Sequence, residues 1–114
     1  MLAKRRTFVL CRHTLFAQAL KALLDNEEGI DLVGIETDEL RARERIKTLK
    51  PDIVLVETGD EGVSVDTVLS YVVRESPQSR IVGLSQGQNE IGIYYGHQRR
   101  VTAAEDLVAA ISES

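Results

Sequence analysis

Four short apolar runs recur along the chain with helix-periodic stretches between them, and that alternation constrains the fold more than any other feature. Asp52 to Val56 (DIVLV) follows Pro51 as a nearly continuous branched run, the pattern of a strand buried on both faces. Arg6 to Cys11 (RTFVLC), Ile30 to Ile35 and Arg80 to Leu84 (RIVGL) read as three more strands. Between the first two, Leu15, Phe16, Ala19, Leu20, Leu23 and Leu24 recur at helical spacing, with Thr14 placed to cap the helix and Gly29 to stop it. Asp38 to Lys50 alternates in charge around a narrow stripe of Leu40, Ala42, Ile46 and Leu49. Val65, Val68, Leu69, Val72 and Val73 predict a third helix that closes before Pro77. Strict strand–helix alternation implies right-handed crossovers and a doubly wound α/β sheet, mostly parallel, with helices on both faces.

The rhythm breaks after Leu84. If His97 to Val101 were a parallel fifth strand, residues 86–96 would have to supply a crossover that normally needs about a dozen residues or more. The competing layout pairs Ile91 to Tyr95 antiparallel to the fourth strand through the turn-like Gln86-Gly87-Gln88-Asn89, and it is favoured here. About five strands are therefore expected, with a fourth crossover helix shortened or missing. Thr102 to Glu105 has capping-box spacing, and Leu107, Val108 and Ile111 give a closing helix its apolar face.

At 114 residues the chain is read as one domain over 1–114. A net charge of -4, with Lys4, Arg5 and Arg6 as the only basic cluster near the start, argues against direct nucleic-acid binding. No apolar run is long enough to span a bilayer, which predicts a cytoplasmic protein without membrane association. The lone Cys11 can form no internal disulfide, in keeping with a reducing compartment. There is no GxGxxG, no P-loop and no cobalamin-type Asp-x-His-x-x-Gly, so a ligand-binding or enzymatic α/β domain is the least supported reading, and no cofactor is expected.

In a doubly wound sheet the site lies beyond the carboxyl ends of the strands, here Cys11-Arg12-His13, Glu57-Thr58 and Ser85. FVLCRHTLFAQALKALL, KPDIVLVETGDEG and RIVGLS together resemble a response-regulator receiver domain of the type linked to helix-turn-helix output. The resemblance covers nearly all of the chain except Gln86 to Val101, and it implies a flavodoxin-like fold and a place in two-component or phosphorelay signalling. Receivers of this kind hold Mg²⁺ on an acidic pair after the first strand, accept a phosphoryl group on an aspartate at the end of the third, and contact it with a lysine near the fifth. Here the acidic pair is matched by Cys11 and Arg12, the acceptor by Glu57, the fourth-strand hydroxyl by Ser85, and the lysine by Arg100. A fixed cation and a thiol replace the hard oxygen ligands that Mg²⁺ prefers. Glutamate is one methylene longer than the acceptor aspartate, which displaces its carboxylate from in-line geometry. A degenerate pseudo-receiver is therefore expected, without catalytic or metal-binding residues.

Several finer readings stand side by side at this point. Arg12 could fill the vacated metal site and pair with Glu57, or extend into solvent. Glu57 could mimic a phosphorylated aspartate, although a neighbouring cation would neutralise it. Cys11 and His13 could form a nucleophile–base pair, but a lone cysteine in an apolar strand is favoured as a core residue. Tyr94, Tyr95, His97, Arg99 and Arg100 form an aromatic–basic cluster, favoured in an acidic chain as a protein interface over a nucleic-acid one. The expected function is a non-enzymatic signalling module that binds a protein partner or itself as a homodimer, independently of aspartyl phosphorylation. The alternative is the receiver part of a DNA-binding transcription regulator.

Overall fold

The computed structural model describes residues 4–58, 65–85, 90–93, 99–100 and 111. Strands β1 (Arg5–Leu10), β2 (Ile30–Glu36), β3 (Ile53–Thr58) and β4 (Arg80–Ser85) alternate with helices α1 (Thr14–Asp25), α2 (Glu39–Leu49) and α3 (Val65–Glu75). β5 (Glu90–Ile93) and β6 (Arg99–Arg100) complete a single sheet of order β2-β1-β3-β4-β5-β6. The first four strands run parallel, whereas β5 returns antiparallel to β4 and β6 antiparallel to β5.

The antiparallel return has a simple cause. Only positions 86–89 separate β4 from β5, far short of the roughly dozen residues that a parallel crossover needs. The two segments that competed for the fifth strand both form one: 90–93 falls where the hairpin reading put it, and 99–100 lies inside the rival segment. The capping box at Thr102 and the apolar residues Leu107 and Val108 lie outside the described residues, while Ile111 is helical and fully buried.

Strand alternation divides the core in two. Val9, Cys11, Ile53, Leu55, Val82 and Leu84 pack with Ala17, Leu20 and Leu24 of α1 and with Ile111. Phe8, Leu10, Val54, Val56 and Ile81 pack on the other face with Ala42 and Ile46 of α2 and Val68, Tyr71 and Val72 of α3. Each fully buried aliphatic side chain contributes about 1.5–3 kcal/mol by removal from water. On the second face Arg43 grips Glu75 through two bonds of 3.1 and 3.3 Å and lies 5.7 Å over the Tyr71 ring, which fixes α2 against α3.

Four apolar positions are not where their spacing suggested. In α1 the buried face centres on Ala17, Leu20 and Leu24. At 100° per residue that puts Leu15 nearly opposite, and it is 82% exposed, with Ala19 exposed beside it. Leu40 is likewise out of phase with Ala42 and Ile46 and is 76% exposed, and Val73 is about half exposed. The cap of α1 is His13 rather than Thr14, which is already helical.

Candidate acceptor pocket

β1 and β3 are neighbours, and their register carries Cys11 and Glu57 together to the carboxyl edge of the sheet on the α1 side. Glu57 is 3% exposed, unusually deep for a carboxylate, and its partners among the described residues come from the turn between β1 and α1. The Arg12 N–H donates to Glu57 Oε1 at 3.1 Å, and the Cys11 thiol reaches the same oxygen at 3.5 Å. His13 Nδ1 lies 2.9 Å from each carboxylate oxygen. The thiol also donates to the His13 carbonyl at 3.3 Å.

The local chain explains this convergence. His13 occupies the N-cap of α1, but its side chain makes no capping bond, and the first turn of the helix holds no acidic residue. Glu57 supplies from β3 the negative charge that the amino end of a helix favours, and it accepts one of the N–H groups just before that end. Burial, reinforced by the Glu57 carboxylate, pushes the Cys11 thiol up to about 11, so near neutrality it is a protonated donor and not a nucleophile.

Of the two readings left open for Arg12, the guanidinium follows the one that extends into solvent, and the backbone N–H is what meets Glu57. With Cys11 turned into the core, the next side chain along the extended backbone points outward, so only the Arg12 backbone N–H faces the pocket. The side chain that reaches the Glu57 carboxylate is instead His13, which is 45% exposed and forms an ion pair there when its imidazole is protonated. Sequence reasoning weighed His13 only as a base for Cys11. The missed signal was a titratable side chain at a helix N-cap facing the end of a neighbouring parallel strand.

The remaining carried-over positions separate. Ser85 ends β4 opposite Thr58 on one side and Glu90 on the other. Arg100 lies opposite Glu90 on β6, two strands out from β4. At about 4.8 Å per strand its backbone is roughly 10 Å from that of Ser85, so the strand order places it one strand further out than a lysine on a fifth strand beside the fourth. Arg99 lies next to it, opposite Ile91, and Tyr94, Tyr95 and His97 fall outside the described residues.

The donor set does not suit Mg²⁺. That ion demands near-octahedral hard oxygens, whereas Cys11 presents a protonated thiol, Arg12 a backbone N–H, and Glu57 a carboxylate already engaged by both. Among the described residues no group of three or more His, Cys, Asp and Glu side chains could hold a metal ion.

No family model matches the chain, and no curated protein does. Solved structures do. The response-regulator domain of Thermotoga maritima CheB superposes with a TM-score of 0.73 over 96% of this chain and 95% of its own, at 18% identity. The fold is that of a receiver domain. The signal receiver domain of the response regulator NarL from Mycobacterium tuberculosis matches at 0.64 and 26% identity, over 73% of this chain and 67% of that one. The response regulator RcsB, solved in complex with DNA, matches at 0.63 and 19% identity over 75% of this chain, which spans 44% of the RcsB chain. The receiver fold puts Glu57 at the carboxyl end of the central strand β3, where the resemblance places the acceptor.

Proposed function

We propose that this receiver-like domain is a non-catalytic signalling module that acts through protein contacts, without aspartyl phosphorylation. The observation that carries the reading is the buried Glu57 carboxylate, held by Arg12 N–H, the Cys11 thiol and His13 Nδ1. In the family this space takes Mg²⁺ and the incoming phosphoryl group; here the carboxylate is already bonded by groups of the β1–α1 turn, which supports the reading. The carboxylate is tied back to the β1–α1 turn, so it works as a structural brace. That role is also at odds with a mimic of the phosphorylated state, since the carboxylate is bonded by the Arg12 N–H and faces the amino end of α1.

The site is tested by amide NMR with Mg²⁺ and beryllofluoride, a stable stand-in for a phosphoryl group on a carboxylate. The expected result is an unchanged Arg12 N–H resonance and unchanged neighbours at saturating additive. Shifts confined to residues 11–13 and 57–58 would show a pocket that opens to the ion and would sink the proposal.

A further inference from the structure

On the opposite side of the sheet, β2 is the outermost strand, and among the described residues a side chain of α2 takes an outward carbonyl of its edge. The Glu36 carbonyl accepts the Cys11 N–H, so by the alternation of a parallel ladder the Ile35 carbonyl is turned away from β1. Arg45 takes it: Nη1 donates to Ile35 O at 3.0 Å and lies 3.6 Å from Glu36 Oε1. The guanidinium carbon stacks 5.3 Å from the centre of the Phe8 ring. Residue 34 is glycine, and an added Cβ there would come within 2.7 Å of Arg45 Nη2 and 2.9 Å of Phe8 Cε2, so the arginine or the ring would have to shift. Arg45 thus takes the place of the side chain that Gly34 lacks. The 76% exposed Leu40 lies in the same groove, lined with it by Glu36, Arg41, Glu44 and Arg45.

An open strand edge beside exposed apolar surface is a template for pairing with a second copy of the chain. We propose that Arg45 is the guard of this edge, and that displacing it lets two copies pair through β2. The bulge in the pairing between Thr7 and Phe8 of β1 and β2, together with Asp31 and Glu36 near the two ends of the strand, blunts the edge further. Those features leave Ile35 bare once the guanidinium is gone. The proposal is independent of the acceptor pocket.

Two variants remove the guard by different routes. Arg45→Met keeps the aliphatic stem over Phe8 but removes every donor, and Gly34→Ala pushes the intact arginine away by steric contact. Arg41→Ala, on the same groove, is the control. Light scattering across a concentration series should show both guard variants gaining mass, at least about twofold over the unaltered chain for isologous pairing, while the control does not. Hydrogen exchange should show new protection of the Ile35 amide, whose N–H also faces outward. Folded variants that keep the mass of the unaltered chain and leave that amide unprotected would overturn the proposal. Should Gly34→Ala fail to fold, the mass and exchange data for Arg45→Met decide alone.

Discussion

Replacing Glu57 with glutamine keeps the shape of the side chain and removes its charge, which makes Glu57→Gln the sharpest probe of the brace. The bond from Arg12 N–H to a carboxylate is of the class that contributes about 1.5–3 kcal/mol, against about 1 kcal/mol for a neutral acceptor. The His13 pair is half exposed on one side, so after solvent screening it is credited with about 0.5–1 kcal/mol. The thiol contact at 3.5 Å is long and from a weak donor, and it is set at zero. The expected loss is about 2 kcal/mol, a fall in Tm of roughly 8 °C for a domain of this size. Urea unfolding followed by circular dichroism measures it, with the slope expected to be unchanged and the midpoint lowered. His13→Ala completes a double-mutant cycle whose coupling should be about 0.5–1 kcal/mol. A Glu57→Gln change within about 0.5 kcal/mol of zero, together with additive single mutants, would refute the claim that the carboxylate holds the turn.

Other outcomes follow from the same geometry. Cys11 should resist thiol reagents in the folded state near neutrality and react only on unfolding, followed by absorbance with a disulfide reagent. Its folded pKa of about 11 lies above the ordinary 9.0, so the neutral thiol favours folding: that contribution is complete below pH 9 and is lost as pH rises toward 11. Glu75 is held below the ordinary carboxylate value of 4.5, first by its hydrogen bond from Arg43, so its contribution is present above that pH and lost as pH falls through the lowered value. Arg43→Ala should therefore flatten part of the acid limb of the stability–pH curve. Tyr71 is almost fully buried and its hydroxyl has no hydrogen-bond partner among the described residues; Tyr71→Phe should be neutral or stabilising in thermal melts, and a loss of more than about 1 kcal/mol would contradict that environment.

Much of this fold was legible because parallel strands buried on both faces write continuous apolar runs. The runs at Phe8, Val54 and Ile81 each fall in a strand, and the shortness of the segment after Ser85 announced the antiparallel return. Helix phase was less legible: Leu15 and Leu40 satisfy the spacing with their neighbours yet point away from the core, because two apolar residues three or four apart do not say which flank of the stripe is centred on the sheet. At the pocket, the identities of Cys11, Arg12 and Glu57 were readable, but not their connectivity. Whether a side chain or a backbone N–H meets a carboxylate depends on which way the turn after β1 rotates, and that rotation is set by the start of α1. The distance of Arg100 from the fourth strand was illegible for a related reason, since its strand could be assigned only once the sheet order was known.

The buried Glu57 carboxylate is proposed to take no phosphoryl group. Incubation with a small phosphodonor and Mg²⁺, followed by intact-mass measurement, tests it directly, with Cys11→Asp, Arg12→Asp and Glu57→Asp combined in one variant as the comparison. No mass gain is expected for the unaltered chain at donor concentrations that modify the combined variant. A stoichiometric phosphoryl adduct that Glu57→Gln abolishes would contradict it.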